Sequence, residues 1–388
     1  MKRNISKALA ILMTLALIMT LAAMSASAVT GGTKSFEKEF AIPDGANVPN
    51  VEFEYTITPG TAVPVGADNE IEIKEGIGSP TIENAVFPSN DTTPAAGTDD
   101  TEDSTKTIYV DNVVVDFSGI DFTTAGVYRY VITEKTPPTI EGVPGVTYGE
   151  PAERYLDVFV FPGDHDNDPS TPEQLMVTEY AMTKNPSNFT KIYDDDEQKW
   201  VYTYTDESAR VKSSGFKNEL DTVDLEFTKD ITGNQADQSK KFTFTLSITG
   251  ANPNQEYAVE ITGTDVIVDG SSVTEGMITT DSNGAYTGTF ELTKGDIVKV
   301  LDLPVGATYN VTEDAEDYTS TPANVTGYTD PVTGTFVKDT DVKTSYTNSR
   351  EGIIPTGVIL TVAPFMIGLL LFGAVMMFMI SRRRRATY

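Results

Sequence analysis

Three residue types that can join two parts of a chain without an outside reagent recur in one order along this sequence. They are a lysine, a glutamate and an asparagine, and each lies in a short segment rich in apolar and β-branched residues. The order occurs twice, first as Lys38, Glu134 and Asn218 and then as Lys229, Glu313 and Asn348. A weak internal repeat of this kind indicates two similar structural units, each with its own copy of the same chemistry.

All six residues fall in register with apolar neighbours. Successive side chains of a strand point to opposite faces, so residues two apart share a face, as do Phe36, Lys38 and Phe40. The same parity groups Tyr130 and Ile132 with Glu134, Phe216 and Leu220 with Asn218, Leu225, Phe227 and Ile231 with Lys229, Tyr309 and Val311 with Glu313, and Tyr346 with Asn348. Burial of an unpaired charge is costly, so each set is predicted to meet inside the core.

A buried lysine, glutamate and asparagine can remove their charges by forming a covalent bond. Burial favours the neutral amine, which is a nucleophile, and it favours a protonated carboxyl group. Attack of the amine on the side-chain carbonyl of the asparagine releases ammonia and leaves an amide, while the glutamate shuttles the protons. Packing holds the reactants in an attack geometry, so the reaction needs no separate enzyme.

The segments around these residues predict an all-β protein. Short alternating runs such as residues 51–57 and 241–248 are bounded by glycine, proline, asparagine and aspartate. Residues 88–103 are polar and predict a long loop. We expect two tandem β-sandwich domains, residues 29–220 and 221–350, joined by a very short and therefore stiff connection.

The first 28 residues have the layout of a secretory signal peptide. Lys2, Arg3 and Lys7 form a basic start, residues 8–23 are an apolar run, and residues 25–28 are small, as at a cleavage site. The alternative is a transmembrane helix, which fits less well because the run is short. We predict that residues 1–28 are removed from the mature protein.

The last segment, residues 351–388, combines a short motif, an apolar stretch and a basic tail. The motif consists of Ile353, Ile354, Pro355, Thr356 and Gly357. Residues 358–380 are apolar and long enough to cross a bilayer, and residues 382–385 are arginines, which favour the cytoplasmic side. The alternative is a plain single-pass anchor.

The motif resembles the LPXTG-like sorting signal that sortases read. This resemblance implies that a sortase cysteine attacks the carbonyl of Thr356 and passes the acyl group to an amine. Ile353 stands where the signal usually has leucine, which leaves open the class of sortase that reads it.

Composition excludes several functional classes. The net charge is −29, and both terminal segments are basic, so the part between them is more acidic still. Phosphate binding needs a basic face, which excludes a nucleic-acid partner. With no cysteine and one histidine, His165, neither a Ser-His-Asp or Cys-His site nor a histidine-rich metal site is expected, and no cofactor is predicted. Asp164, Asp166 and Asp168 alternate like calcium ligands, but the glycine and glutamate of an EF-hand loop are missing, so we interpret them as a solvated loop.

Taken together, these motifs resemble the Gram-positive major pilins of the streptococcal T-antigen type, which consist of tandem pilin isopeptide-linkage domains. The matching pieces surround the six residues above and extend to residues 353–357. The resemblance implies immunoglobulin-like domains, each with an isopeptide bond between its first and last strands. The implied bonds are Lys38 to Asn218 beside Glu134, and Lys229 to Asn348 beside Glu313. Lys34 has the same parity as Lys38 and is the alternative, although Lys38 lies nearer the centre of its segment.

The same resemblance implies that an amine of the first domain accepts the acyl group of a neighbouring copy. In the family this lysine comes shortly before the last strand of that domain. Lys212 is the nearest match, with its spacing to Asn218 shifted by one residue, and Lys217, Lys184 and Lys191 are alternatives.

Three functions are compatible with these features. The favoured one is a structural subunit of a sortase-assembled pilus on a Gram-positive cell surface, joined to neighbouring copies of itself through Thr356 and finally to cell-wall peptidoglycan. The alternative is a monomeric wall-anchored adhesin with an isopeptide-stabilised stalk that binds a host or microbial ligand. A surface enzyme is disfavoured by the residue inventory. Self-crosslinking is a single-turnover modification, so we predict that the chain is not an enzyme.

Overall fold

The computed structural model describes most of the chain between the two terminal segments. The described residues are 29–66, 70–89, 105–163, 174–186, 189–194, 199–204, 213–263, 266–272, 275–323, 332–352 and 367–379. For residues 189–194 and 199–204 only the backbone is described. The predicted signal peptide, the motif of residues 353–357, Lys212 and the acidic loop around His165 lie outside the described residues.

Strands β1 to β16 form the first structural unit. Their bounds are β1 (Val29–Thr30), β2 (Thr33–Pro43), β3 (Val51–Phe53), β4 (Tyr55–Pro59), β5 (Ile73–Glu75), β6 (Thr81–Ile82), β7 (Ala85–Phe87), β8 (Lys106–Asp116), β9 (Asp121–Phe122), β10 (Gly126–Glu134), β11 (Val146–Tyr148), β12 (Glu153–Gly163), β13 (Gln174–Thr183), β14 (Phe189–Asp194), β15 (Lys199–Tyr204) and β16 (Gly215–Leu220).

Strands β17 to β28 form the second unit. Their bounds are β17 (Thr222–Thr232), β18 (Phe242–Thr249), β19 (Glu256–Thr262), β20 (Ile267–Val268), β21 (Ser271–Ser272), β22 (Glu275–Thr279), β23 (Tyr286–Leu292), β24 (Ile297–Pro304), β25 (Thr308–Asp314), β26 (Thr319–Ala323), β27 (Val332–Thr335) and β28 (Val342–Ser349).

The first unit is a sandwich of two main sheets. One sheet has the order β11-β16-β2-β8-β6, and the other has the order β13-β12-β10-β4 with β5 added beside β10. Strand β2, the first long strand of this unit, pairs in parallel with its last strand, β16. The apolar residues that face each other across the two sheets form one buried cluster, which includes Phe40, Val113, Tyr130 and Val158.

The second unit repeats this plan with two six-stranded sheets. Their orders are β22-β19-β24-β17-β28-β26 and β21-β20-β23-β18-β25-β27. Again the first strand, β17, pairs in parallel with the last strand, β28. A second buried cluster, with Phe227, Phe244, Phe290 and Tyr346 among its members, fills the space between the sheets. The prediction of an all-β protein is therefore confirmed.

One predicted strand is divided in the structure. The alternating run of residues 51–57 breaks at Glu54, because its two parts pair with different partners: β3 with β7, and β4 with β10. Lys135 stabilises this break by contacting both the backbone and the side chain of Glu54. Its backbone N–H donates to the carbonyl oxygen of Glu54, and its Nζ lies 2.6 Å from the Glu54 carboxylate.

The connection between the units is a single residue, Asp221, between the end of β16 and the start of β17. Asp221 is buried, and Thr147 of the first unit donates to its carboxylate at 2.6 Å. Lys338 of the second unit lies 2.9 Å from the same carboxylate. Asn47 also donates to the carbonyl oxygen of Glu256 across the junction, at 3.0 Å. Contacts from both sides therefore restrain the short connection.

Every sheet and every buried apolar cluster of the described residues lies within residues 29–352. This part of the chain therefore contains both folded units and their cores. Residues 367–379, which belong to the predicted span, form a helix. Among the residues that the structure describes, no helix meets the length and hydropathy needed to cross a membrane.

Candidate cross-linking sites

The first site lies between the two sheets of the first unit. Lys38 is on β2 and Asn218 is on β16, and Glu134 reaches them from β10 in the facing sheet. Lys38 pairs with Phe216, while Asn218 pairs with Phe40, so the lysine and the asparagine are diagonal neighbours on two parallel strands. All three polar side chains are buried, with at most 1% of their surface exposed.

One carboxylate oxygen joins the three residues. Lys38 Nζ lies 2.7 Å from Glu134 Oε1, and Asn218 Nδ2 donates to the same oxygen at 2.9 Å. The backbone N–H of Gly149 donates to Asn218 Oδ1 at 2.9 Å. Because Gly149 can only donate there, it fixes the carboxamide with its oxygen toward Gly149 and its nitrogen toward Glu134.

The surroundings of Lys38 favour its neutral form. Burial lowers the pKa of Lys38 from 10.5 to about 8, although the Glu134 carboxylate beside it acts in the opposite direction and the Arg154 guanidinium reinforces the decrease. The Phe53 ring lies under the amine, with its centroid 4.3 Å from Nζ. Burial and the Glu134 carboxylate raise the pKa of Tyr55, so its hydroxyl keeps its proton next to the site.

The second site repeats the first. Lys229 on β17 pairs with Tyr346, and Asn348 on β28 pairs with Ile231, which gives the same diagonal arrangement on parallel strands. Lys229 Nζ lies 2.6 Å from Glu313 Oε1, and Asn348 Nδ2 donates to that oxygen at 2.9 Å. Burial also lowers the pKa of Lys229 against the opposing effect of Glu313.

This geometry suits amide formation between the lysine and the asparagine. The nucleophilic nitrogen and the leaving nitrogen contact one carboxylate oxygen, which can pass a proton from the first to the second within hydrogen-bond distance. The closed core excludes water, and the strand pairing holds the reactants together. Little translational and rotational entropy is therefore lost when they reach the transition state. Loss of ammonia would leave a neutral amide where two charges were buried.

Comparisons with known proteins bear on this geometry. A family model described as the Spy0128-like isopeptide containing domain (FctA) matches residues 31–224, which is half of the chain. The chain belongs to the FctA family. A second model, described as a domain of unknown function (DUF7601), matches residues 223–350.

This FctA-family chain also resembles individual proteins of Streptococcus pyogenes. A pilin of serotype M1 is 28% identical over 356 residues, covering 87% of this chain and 86% of that protein. The crystal structure of the major pilin in a glutamate-to-alanine mutant has a TM-score of 0.51 and 22% identity, covering 83% of this chain and 100% of that chain. Another structure of the major pilin has a TM-score of 0.48 and 23% identity, covering 84% of this chain and 100% of that chain. The resemblance to major pilins and the fold that it implies are confirmed.

The pKa of Lys38 in the FctA domain predicts how bond formation depends on pH. The reacting pair holds one proton in total, either as ammonium with carboxylate or as amine with carboxylic acid. Above pH about 8 the pair loses that proton. We therefore expect a rate constant for the Lys38–Asn218 bond that is level over the pH range in which the pair holds one proton and falls about tenfold per pH unit above pH about 8. Mass-spectrometric time courses of refolding at a series of pH values measure this dependence. A rate that instead rises up to that pH and then levels would contradict the shuttle role of Glu134.

The structure also places the alternative lysines that it describes. Lys34 is exposed near the start of β2, so Lys38 is the lysine of this strand that contacts Glu134. Lys217 is half-buried and Lys184 is exposed, while Lys191 is described only in its backbone. No group of histidine, aspartate and glutamate with the arrangement of a metal site occurs in the described ranges.

Several residues near the sites were not found from the sequence. Gly149 and Ser320 donate hydrogen bonds to the reacting groups, at Asn218 Oδ1 and Glu313 Oε2 respectively. The guanidinium of Arg154 is buried over the Phe216 ring, 4.5 Å from its centroid, and its Nε donates to the carbonyl oxygen of Gly215. None of these residues belongs to the repeated Lys-Glu-Asn order, so the repeat gave no signal for them.

Proposed function

We propose that this chain is a structural subunit of a sortase-assembled pilus, and that each of its two domains is locked by an intramolecular amide between a lysine and an asparagine. The bonds are Lys38–Asn218 in residues 29–220 and Lys229–Asn348 in residues 221–350. The chain is not an enzyme in this proposal, because each domain modifies itself once.

One observation carries the proposal. The same buried constellation of lysine, glutamate and asparagine occurs in both domains, with the same diagonal register on parallel first and last strands and with a single carboxylate oxygen between the two nitrogens. Burial of a charged lysine has no benefit for a fold that could use an apolar side chain, so two copies of this arrangement argue for a chemical role. The family membership and the pilin relative support the same conclusion.

The position of the second amide suits a protein under tension. Force that enters at the start of β17 passes along that strand to Lys229, crosses the amide to Asn348, and leaves through the end of β28. Residues 230–347 are then bypassed, so the sandwich does not have to resist the pull.

In the first domain the proposed acceptor Lys212 and the exit at Asp221 flank a single strand, β16. There the load would stay in β16, and the amide at Asn218 would tie that strand to β2 and so to the rest of the domain.

Assembly follows from the terminal segments. Removal of residues 1–28 would follow export and leave the chain held in the membrane by residues 358–380 until sorting. A sortase would cleave after Thr356 and join its carbonyl to Lys212 of a neighbouring copy, or to wall peptidoglycan for the last subunit. The proposed location is therefore the cell wall and pilus of a Gram-positive cell, with the membrane-spanning segment present only before sorting.

Expression of the full chain in a Gram-positive host, with and without a pilus sortase, tests this assembly. We expect a ladder of covalent multimers in denaturing gels of wall extracts, only when the sortase is present. Thr356→Ala should abolish the ladder, because the sortase would no longer recognise the altered motif and would form no acyl-enzyme. Lys212→Arg should abolish it as well, while the matched control Lys217→Arg should leave it unchanged.

The outcomes separate the two candidate functions. Wall-attached monomer alone, in the presence of an active sortase, would contradict the pilus subunit and favour the wall-anchored adhesin. A ladder that persists in the Lys212→Arg variant would still support the pilus subunit, but it would show that another lysine is the acceptor.

A further inference from the structure

The two domains place a hydrogen-bond donor at the same topological position but direct it at different atoms. In each domain an edge strand flanks the strand that carries the asparagine: β11 beside β16, and β26 beside β28. Gly149, which directly follows β11, donates its backbone N–H to Asn218 Oδ1 at 2.9 Å. Ser320 of β26 pairs with Asn348, and its hydroxyl donates to Glu313 Oε2 at 2.6 Å.

The two electrophilic carbonyl groups therefore differ. Asn218 Oδ1 accepts a hydrogen bond from a fixed backbone donor. Asn348 Oδ1 is buried and has no hydrogen-bond partner among the described residues. In the first domain the edge-strand donor forms a hydrogen bond with the carbonyl that will be attacked. In the second domain it forms a hydrogen bond with the carboxylate that moves the proton.

We propose that the backbone N–H of Gly149 is a catalytic group of the first domain, an oxyanion donor that makes the Lys38–Asn218 bond form faster than the Lys229–Asn348 bond. This inference rests on the proposed function, since it requires that both amides form. It adds a reacting contact that lies outside the repeated lysine, glutamate and asparagine.

The reaction can be written with every proton accounted for. The neutral amine of Lys38 attacks Cγ of Asn218, and the carbonyl electrons move to Oδ1, where the Gly149 N–H stabilises the negative charge. Protonated Glu134 gives its proton to Nδ2, and the resulting carboxylate then takes a proton from Lys38 Nζ, which carries a positive charge after the attack. The oxyanion collapses, the bond from Cγ to Nδ2 breaks, and ammonia leaves. Glu134 ends in the protonation state in which it began.

Local structure explains why a glycine presents this donor. Tyr148, the last residue of β11, pairs with Asn218, so the next N–H along the chain lies beside the asparagine side chain. At Gly149 the backbone passes so close to β16 that a Cβ would collide with the carbonyl oxygen of Lys217. Only glycine permits this approach, and the approach brings the N–H within hydrogen-bond distance of Oδ1.

The expected effect is large enough to measure. A preorganised donor aimed at a developing oxyanion contributes about 10²- to 10³-fold in rate. The second domain, which shares the other parts of the constellation, provides an internal reference in the same molecule.

The test follows both bonds in one refolding experiment. Residues 29–352 are recovered unfolded in denaturant, checked by intact mass to be free of cross-links, and refolded by dilution. Samples are quenched in acid and digested, and the two cross-linked peptides are quantified by mass spectrometry. Gly149→Pro removes the N–H, and Gly149→Ala adds a Cβ that would collide with the carbonyl oxygen of Lys217, so neither variant can present the donor to Asn218. Folding of both variants is checked by circular dichroism in a Lys38→Met background, in which no bond can form in this domain.

We expect the Lys38–Asn218 bond to form about 10²-fold faster than the Lys229–Asn348 bond in the wild type. We expect Gly149→Pro and Gly149→Ala to slow the first bond by a similar factor relative to the wild type, with the second bond unchanged. A first bond that forms at the wild-type rate in a folded Gly149→Pro variant would overturn the inference. If Gly149→Pro does not fold, the two rates in the wild type provide the test. A Lys38–Asn218 bond that forms no faster than the Lys229–Asn348 bond would then overturn the inference. Absence of both bonds would instead remove the proposed function on which the inference rests.

Discussion

Glu134→Gln is expected to leave the first domain without its cross-link and to cost about 8 kcal/mol of unfolding free energy. Gln cannot move a proton from Lys38 to Asn218, so the amide does not form and the intact mass rises relative to that of the wild type. The bond would close the loop of residues 38–218, which is worth about 5 kcal/mol in the chain-entropy model. Lys38 is also left buried without its anionic partner, at a further cost of about 3 kcal/mol.

Two further variants separate these contributions. Glu83→Gln neutralises an exposed carboxylate of the same domain and should change the unfolding free energy by less than about 0.5 kcal/mol. Lys38→Met with Glu134→Gln removes the buried charge together with its partner, so it should be about 3 kcal/mol more stable than Glu134→Gln alone. Denaturant unfolding and intact mass are measured on residues 29–352. Normal cross-link formation in Glu134→Gln would contradict the role of this carboxylate.

Asp157→Asn is expected to destabilise the first domain by about 3 kcal/mol, through a different charge pair. Arg129 and Asp157 lie on the outer face of the β10–β12 sheet, where Arg129 Nε and Nη2 donate to the two carboxylate oxygens at 2.8 Å each. Both side chains are at most 2% exposed, so the substitution removes the Asp157 charge that pairs with a buried guanidinium. Denaturant unfolding of residues 29–352 measures the loss.

The matched controls for this pair lie on the same strands. Glu153→Gln changes an exposed carboxylate on β12 and should leave stability within about 0.5 kcal/mol of the wild type. Arg129→Met with Asp157→Leu replaces the pair by apolar side chains, and it should lose much less than Asp157→Asn because no charge remains buried. Equal losses in the double variant and in Asp157→Asn would contradict the view that a buried Arg129 charge without the Asp157 carboxylate causes the destabilisation.

Strand parity was enough to predict that the six candidate reacting residues are buried. Lys38, Glu134 and Asn218 each share a strand face with large apolar residues, and such a face points into a sandwich. The repeat in the second half of the chain gave the same three types in the same order. Core placement of the reacting residues thus depends on local pattern, which the sequence contains in full.

The groups that surround the sites depend on pairing between distant segments. β11 has only three residues, and nothing in their types indicates that they cover the edge of β16 and bring Gly149 to Asn218. Parity places Arg129 on the face of β10 opposite to Glu134, and the outer face of an antiparallel sheet is commonly solvated. A small apolar cluster that includes Ile71, Ile73 and Phe159 buries that face instead. Neither arrangement leaves a periodic signal.

The intact mass of residues 29–352, expressed without any sortase, tests the central claim most directly. The account predicts a mass lower than the calculated value by two ammonia equivalents, with tryptic peptides that join Lys38 to Asn218 and Lys229 to Asn348. A mass equal to the calculated value, in a protein shown by circular dichroism to be folded, would contradict it. The six buried polar residues would then be two unreacted charge clusters, and the cross-linked subunit would have to be abandoned.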